Sequence, residues 1–231
     1  MFDECGNMQK QYGSTNNYLP EGFIFNSKIE IMSFSLKGFL YQVLIDPTIS
    51  HLHKSVLAFI EPSHRVLDVA CGTGSLAFSI AERAAQVTGI DLSEEMIITA
   101  QRAARKKGVR NALFELHDAT DLVQYTDKEF DVAVTSMAVH QFDAGVAVKI
   151  LSEMKRIATT VIIVDYNSFM PKGFIPSVAR AIERMAGGDH YRNFAVFMER
   201  GGIGYFAREA GLIMKSETVR GSGVFSVAVF S

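Results

Sequence analysis

The stretch Val66–Phe78, VLDVACGTGSLAF, decides how the rest of this 231-residue chain is read. Val66, Leu67 and Val69 surround Asp68 in a short apolar run, the character of a buried strand. The run breaks into Cys71-Gly72-Thr73-Gly74 and enters a segment of helical period at Ser75. A carboxylate inside such a strand, just ahead of two glycines, needs a reason. The glycines alone permit a phosphate cradle.

Outward from this stretch the chain alternates apolar runs with helical patterns. Strands are expected at Arg65–Ala70, Gln86–Ile90, Ala112–Leu116, Phe130–Val139 and Thr160–Val164. Between them lie a helix from Ser75 to Ala84, one capped by Ser93 and stopped at Gly108, and one capped by Asp143. Met96, Ile97, Ala100 and Ala104 are the expected inner face of the second of these, and Val146, Ile150, Met154 and Ile157 that of the third. No proline falls between Pro62 and Pro171 to interrupt the rhythm. Continuous apolar strands alternating with helices imply an α/β, Rossmann-like doubly wound parallel sheet covered on both faces. Leu212–Val219 and Val224–Phe230 flank Gly221-Ser222-Gly223 and read as a closing hairpin, which adds an antiparallel C-terminal strand. Residues 1–60 are expected to form an N-terminal arm and helical cap, with helical pattern from Ile29 to Ile60 broken at Asp46-Pro47 and ended by Pro62. The core then spans 61–231, with a helical insertion at about 171–202 over the sheet edge.

In such a sheet ligands bind beyond the carboxyl ends of the strands. The polar features of the sequence fall at those ends: Asp68 with Gly72 and Gly74, Asp91, Asp118, Ser136 with His140, and Asp165-Tyr166-Asn167. Gly72–Ala77 fits G-x-G-x-x-A, and Asp91 lies 19 residues past Gly72, close to what a dinucleotide fingerprint asks. Asp68 turns the choice. A carboxylate four residues ahead of the glycines repels a pyrophosphate and welcomes a ligand with a sulfonium and an amino group.

VLDVACGTG, TGIDLSEEMI and HDATDL, in this order and spacing, resemble the class I S-adenosylmethionine-dependent methyltransferase family, and most of all its small-molecule branch of ubiquinone and menaquinone biosynthesis enzymes. The resemblance covers about residues 41–166. The family's first motif has glycine where this chain has Ala70. The resemblance implies a seven-stranded sheet and S-adenosylmethionine as cofactor. It implies that Asp68 and the Ala70–Gly74 backbone face the methionine end, with Ser136 and Met137 beside it. Asp91 would accept the ribose hydroxyls, Leu92 and Met96 would flank the adenine, and Asp118 with the Ala119 amide would meet its edge. Tyr41 lies where such families place an aromatic near the methyl donor. The expected reaction is in-line methyl transfer to a small-molecule acceptor, with proximity and orientation as the protein's contribution.

Other residues leave two readings each. His140 is a candidate catalytic base or orienting group, or a packed histidine. His190, Tyr191 and Asn193 suit a substrate pocket lid, or a solvated helix start. Phe23, Phe25, Phe34 and Phe39 suit core or lid packing, or a lipid site. Cys71 reads as a spacer rather than a nucleophile. His51 and His53 share no helix face, so no metal ligand set is expected.

Composition sets the outer bounds. Apolar residues make up 48% and charged residues 21%, and the net charge is −2, so nothing marks a nucleic-acid or anionic-membrane surface. Two cysteines, Cys5 and Cys71, make no disulfide framework, and no leader or membrane span is evident. A cytoplasmic monomer or homodimer is expected. A nicotinamide-dependent oxidoreductase and a catalytically silent cofactor-binding partner protein are the alternatives.

Overall fold

A computed structural model describes residues 46–231, with the backbone alone for 46–51. Cys5, the N-terminal arm, Phe23, Phe25, Phe34, Phe39, the helical pattern before Asp46 and the candidate Tyr41 lie outside the described residues. Seven strands form one sheet: β1 (Arg65–Val69), β2 (Gln86–Asp91), β3 (Ala112–Leu116), β4 (Phe130–Ser136), β5 (Ala158–Tyr166), β6 (Met214–Arg220) and β7 (Phe225–Phe230), in the order β3-β2-β1-β4-β5-β7-β6. Strands β1 to β5 run parallel, and β7 pairs antiparallel with both β5 and β6. The expected doubly wound, mostly parallel sheet with its closing hairpin is therefore the fold. The central strands are buried along their length, whereas the edge strand β6 is exposed and carries Lys215, Glu217 and Arg220. Charge on an exposed edge discourages further strand pairing.

The helices are α1 (Asp46–Leu57), α2 (Ser75–Ala81), α3 (Glu94–Lys107), α4 (Ala144–Ile157), α5 (Phe174–Ala186), α6 (Gly188–Arg200) and α7 (Ile203–Glu209). The cap signals act as read. Ser93 accepts from the Met96 amide and Asp143 from the Gly145 amide at 2.9 Å, and Gly108 closes α3 in the left-handed region. Leu52, Val56 and Ile60 are fully buried in the same core as the central strands. The first helix nevertheless stops at Leu57, before Ile60 and Pro62, because the next residues tighten into a turn with Phe59 and Ile60 amides bonded three residues back.

Two expectations need correction. Met96 is 38% exposed and does not join Ile97, Ala100 and Ala104 on the packed face of α3. Val146 is also exposed, since it walls a cavity instead of the core. The insertion is a pair of helices, α5 and α6. It packs on the short 3-10 turn Val139–Gln141 that follows β4, where the Asn193 side-chain amide donates to the Gln141 carbonyl at 2.8 Å. The insertion thereby sits at the carboxyl ends of β4 and β5.

Candidate functional site

The sheet order changes direction between β1 and β4, and the polar residues gather at the carboxyl ends around that point. Asp68 lies opposite Gly89 on β2 and Val134 on β4. It is 1% exposed, and its Oδ2 has no hydrogen-bond partner. Burial pushes its carboxyl up to about 8, aided by the charge of Asp91 and opposed by the Ala77 amide. An unpartnered buried carboxylate is expensive in isolation and suits a cationic ligand group.

The turn after β1 is shaped for close approach. Ala70 has φ +57°, at the position where the resembled family has glycine. An alanine in this conformation costs roughly 1–2 kcal/mol, strain of a kind concentrated at functional sites. Met137, after β4, has the same φ. A side chain on Gly72 would meet nothing within 4 Å, so its backbone is bare towards the site. Gly74 differs: a Cβ there would lie 2.8 Å from the Phe114 ring. Its lack of a side chain serves packing against β3, which the sequence motif did not reveal. Cys71 is buried, and burial first, then the charges of Asp68 and Asp91, push its thiol far above the ordinary range. A thiol so held keeps its proton and lacks the thiolate a nucleophile needs at neutral pH.

Asp91 ties the two glycine-turn strands together. Its Oδ2 accepts from the Gly72 amide at 2.8 Å and its Oδ1 from the Ser93 amide at 2.9 Å. Each oxygen keeps a lone pair for a ligand hydroxyl. A cavity of about 150 Å³ is walled by Ala70, Asp91, Leu92, Asp118, Ala119, Phe142 and Val146. Phe142 was not read from the sequence as a site residue; an aromatic directly ahead of the Asp143 cap was the available signal. Met96 does not line this cavity. Asp118 is exposed, and the Thr120 amide at 2.8 Å holds its carboxyl below the usual range, with further help from the Thr120 hydroxyl and Lys149. Ser136 ends β4 half-buried beside Met137, whose amide donates to Val164.

The remaining candidates form a second cluster. His140 is 1% exposed, its Nδ1 lies 2.6 Å from Asp165, and its Nε2 faces Glu183 at 3.7 Å. Burial opposes its charge, but Asp165, by charge and hydrogen bond, and Glu183 outweigh it and raise its pKa. His190 is half-buried, with Nε2 against Glu183 at 2.5 Å, and the Tyr166 hydroxyl donates to Glu183 at 2.7 Å. Tyr191 is partly exposed and stacks on Phe194, and Asn193 is the fastener to Gln141 already described. The buried Glu183 escaped the sequence reading, because a lone glutamate on an amphipathic helix looks solvated.

Residues 66–160 match the family described as a methyltransferase domain. Among curated relatives, the ubiquinone biosynthesis O-methyltransferase of Pseudomonas syringae is 30% identical over 65% of this chain and 65% of its own length. The uncharacterized methyltransferase YcgJ of Bacillus subtilis is 31% identical over 45% of this chain and 41% of its own length. The match thus spans less than two thirds of either relative. Magnesium protoporphyrin IX methyltransferase of Synechocystis, solved with bound S-adenosylhomocysteine, superposes with a TM-score of 0.61 at 17% identity, covering 91% of this chain and 99% of that one. At that identity the likeness is one of fold.

Proposed function

We propose, from the match of residues 66–160 to the methyltransferase domain family, that the protein binds S-adenosylmethionine and transfers its methyl group to a small-molecule acceptor. One observation carries the reading: the buried Asp68 with an oxygen left without a partner. The cofactor's α-amino group and sulfonium are the positive charges that such a carboxylate would hold, and a pyrophosphate would be repelled there.

The other residues take roles along the same ligand. The bare backbone at Ala70–Gly74 admits the methionine end, with Ser136 and Met137 on its far side. Asp91 accepts the ribose hydroxyls through its remaining lone pairs. The cavity walled by Leu92, Ala119, Phe142 and Val146 takes the adenine, with Asp118 at its edge. When bound, the cofactor supplies a methyl group activated by its own sulfonium. The chain's own work is to align the acceptor and exclude water. The insertion at 171–202, with His190, Tyr191 and Asn193, closes the acceptor chamber. His140, too buried to touch an acceptor, acts by position. The name of the Pseudomonas relative, a ubiquinone biosynthesis O-methyltransferase, favours a small aromatic or quinol-like acceptor. The weak net charge of −2 favours no nucleic acid. The reading places the protein in the cytoplasm as a monomer or homodimer; among the described residues no helix is long and apolar enough to cross a membrane.

Calorimetry with S-adenosylmethionine, S-adenosylhomocysteine and NAD tests the cofactor, and labelled-methyl transfer to a panel of quinols, phenols, amines and thiols tests the acceptor. Binding of both sulfur compounds and not of NAD is expected, and Asp91→Ala should weaken it by about tenfold or more. No heat with either sulfur compound overturns the proposal.

A further inference from the structure

The cluster under the insertion is not used by the cofactor site. His140 comes from the turn after β4, Glu183 from α5 and His190 from α6, and one ligating atom of each lies within 4.8 Å of the others. We propose that His140, Glu183 and His190 form a binding site for a divalent transition cation of the zinc class, which clamps the insertion to the carboxyl ends of β4 and β5. The site is independent of the methyl-transfer reading.

The donor set is two imidazole nitrogens and one carboxylate oxygen, a combination that suits zinc and its first-row neighbours and not magnesium or calcium. Donors held about 2.0–2.2 Å from a tetrahedral ion stand roughly 3.4 Å apart. The Nε2 of His140 faces Oε1 of Glu183 at 3.7 Å and that of His190 faces Oε2 at 2.5 Å, so the two imidazoles meet opposite oxygens of one carboxylate, and His190 must move outward by about 1 Å for an ion to enter between them.

The support around the donors is that of a metal site. The Nδ1 of His140 is held by Asp165 at 2.6 Å, which leaves Nε2 as the nitrogen directed at Glu183. A carboxylate behind a ligating histidine fixes its tautomer and orientation. Tyr166 in turn holds Glu183 through its hydroxyl at 2.7 Å. Phe194 and Phe197 pack edge-on to the His140 ring and keep that side dry. Asp165 and Glu183 bring two carboxylates into one buried pocket, and one divalent cation balances them. His190, a third exposed, gives the ion its way in.

The test uses the full chain, stripped with a chelator and dialysed against zinc, with bound metal counted by mass spectrometry. Cobalt is titrated separately and its visible absorption recorded. Expected are one equivalent of zinc, the intense cobalt bands of a four- or five-coordinate site, and a loss of about tenfold to hundredfold in affinity in His190→Ala. His64→Ala, whose imidazole lies in the loop ahead of β1, should bind as the parent does. Less than stoichiometric zinc at micromolar concentrations, an octahedral cobalt spectrum, or unchanged affinity in His190→Ala each overturns the proposal. Because zinc and cobalt binding to the unaltered chain decide alone, a variant that fails to fold does not protect it.

Discussion

Asp68 shows how one side chain can be costly to the fold and useful to the site. Its ordinary pKa of 3.8 rises to about 8 in the folded chain. Between about pH 4 and 8 the unfolded chain has released a proton that the ligand-free fold keeps. Stability therefore falls as pH rises through that window, and the full penalty stands above pH 8. Asp68→Asn should remove it. The ligand-free variant is expected to gain more than about 1 kcal/mol at pH 8 and nothing at pH 3.5, by chemical denaturation. Its affinity for S-adenosylmethionine should drop by about tenfold to hundredfold, the worth of a buried charge-assisted hydrogen bond. Equal affinity in variant and parent would remove Asp68 from the site. The presence of this carboxylate was legible in VLDVACGTG. Its missing partner was not, because pairing depends on which amides the fold turns towards it.

The β3–β4 connection has no regular structure of its own yet carries Asp118 and Ala119, which wall the cavity proposed for the adenine. Two residues of α4 tie it down. Arg156 donates to the Leu122 and Tyr125 carbonyls, both at 2.9 Å, and pairs with Glu153 at 2.7 Å and Asp127 at 3.0 Å. Glu153 also accepts from the Leu122 amide at 3.1 Å. Only the planar fork of arginine reaches all of these acceptors together. Arg156→Lys should cost roughly 1–2 kcal/mol in a thermal melt. It should also weaken the cofactor several-fold while leaving the sheet intact by circular dichroism. A variant that melts lower yet binds as before would show that the connection holds itself. Element types and caps were readable from periodicity and from Ser93, Gly108 and Asp143. The positions of α5 and α6 were not, since an amphipathic helix pair states that it has a partner face and not which one.

At the scale of the whole molecule, the fold and the ligand should be linked. A ligand that binds only the folded chain at a hundred times its dissociation constant adds about 2.7 kcal/mol. For a chain of this length that is a rise of about 5–10 °C in melting temperature. S-adenosylmethionine and S-adenosylhomocysteine should both produce it and NAD should not; a rise with NAD alone would revive the dinucleotide reading. The sheet follows from local pattern, because apolar runs alternating with helical periods bury themselves as a covered parallel sheet, and so does the ring of polar residues at the strand ends. The sequence also set the resemblance on which the cofactor rests. Packing alone reveals that Gly74 makes room for Phe114, that Phe142 and Val146 wall a cavity, and that Glu183 is buried beside His140 and His190. These are contacts between residues far apart along the chain. Local pattern fixes which way a side chain points from its own helix or strand. What it meets there depends on how the elements pack.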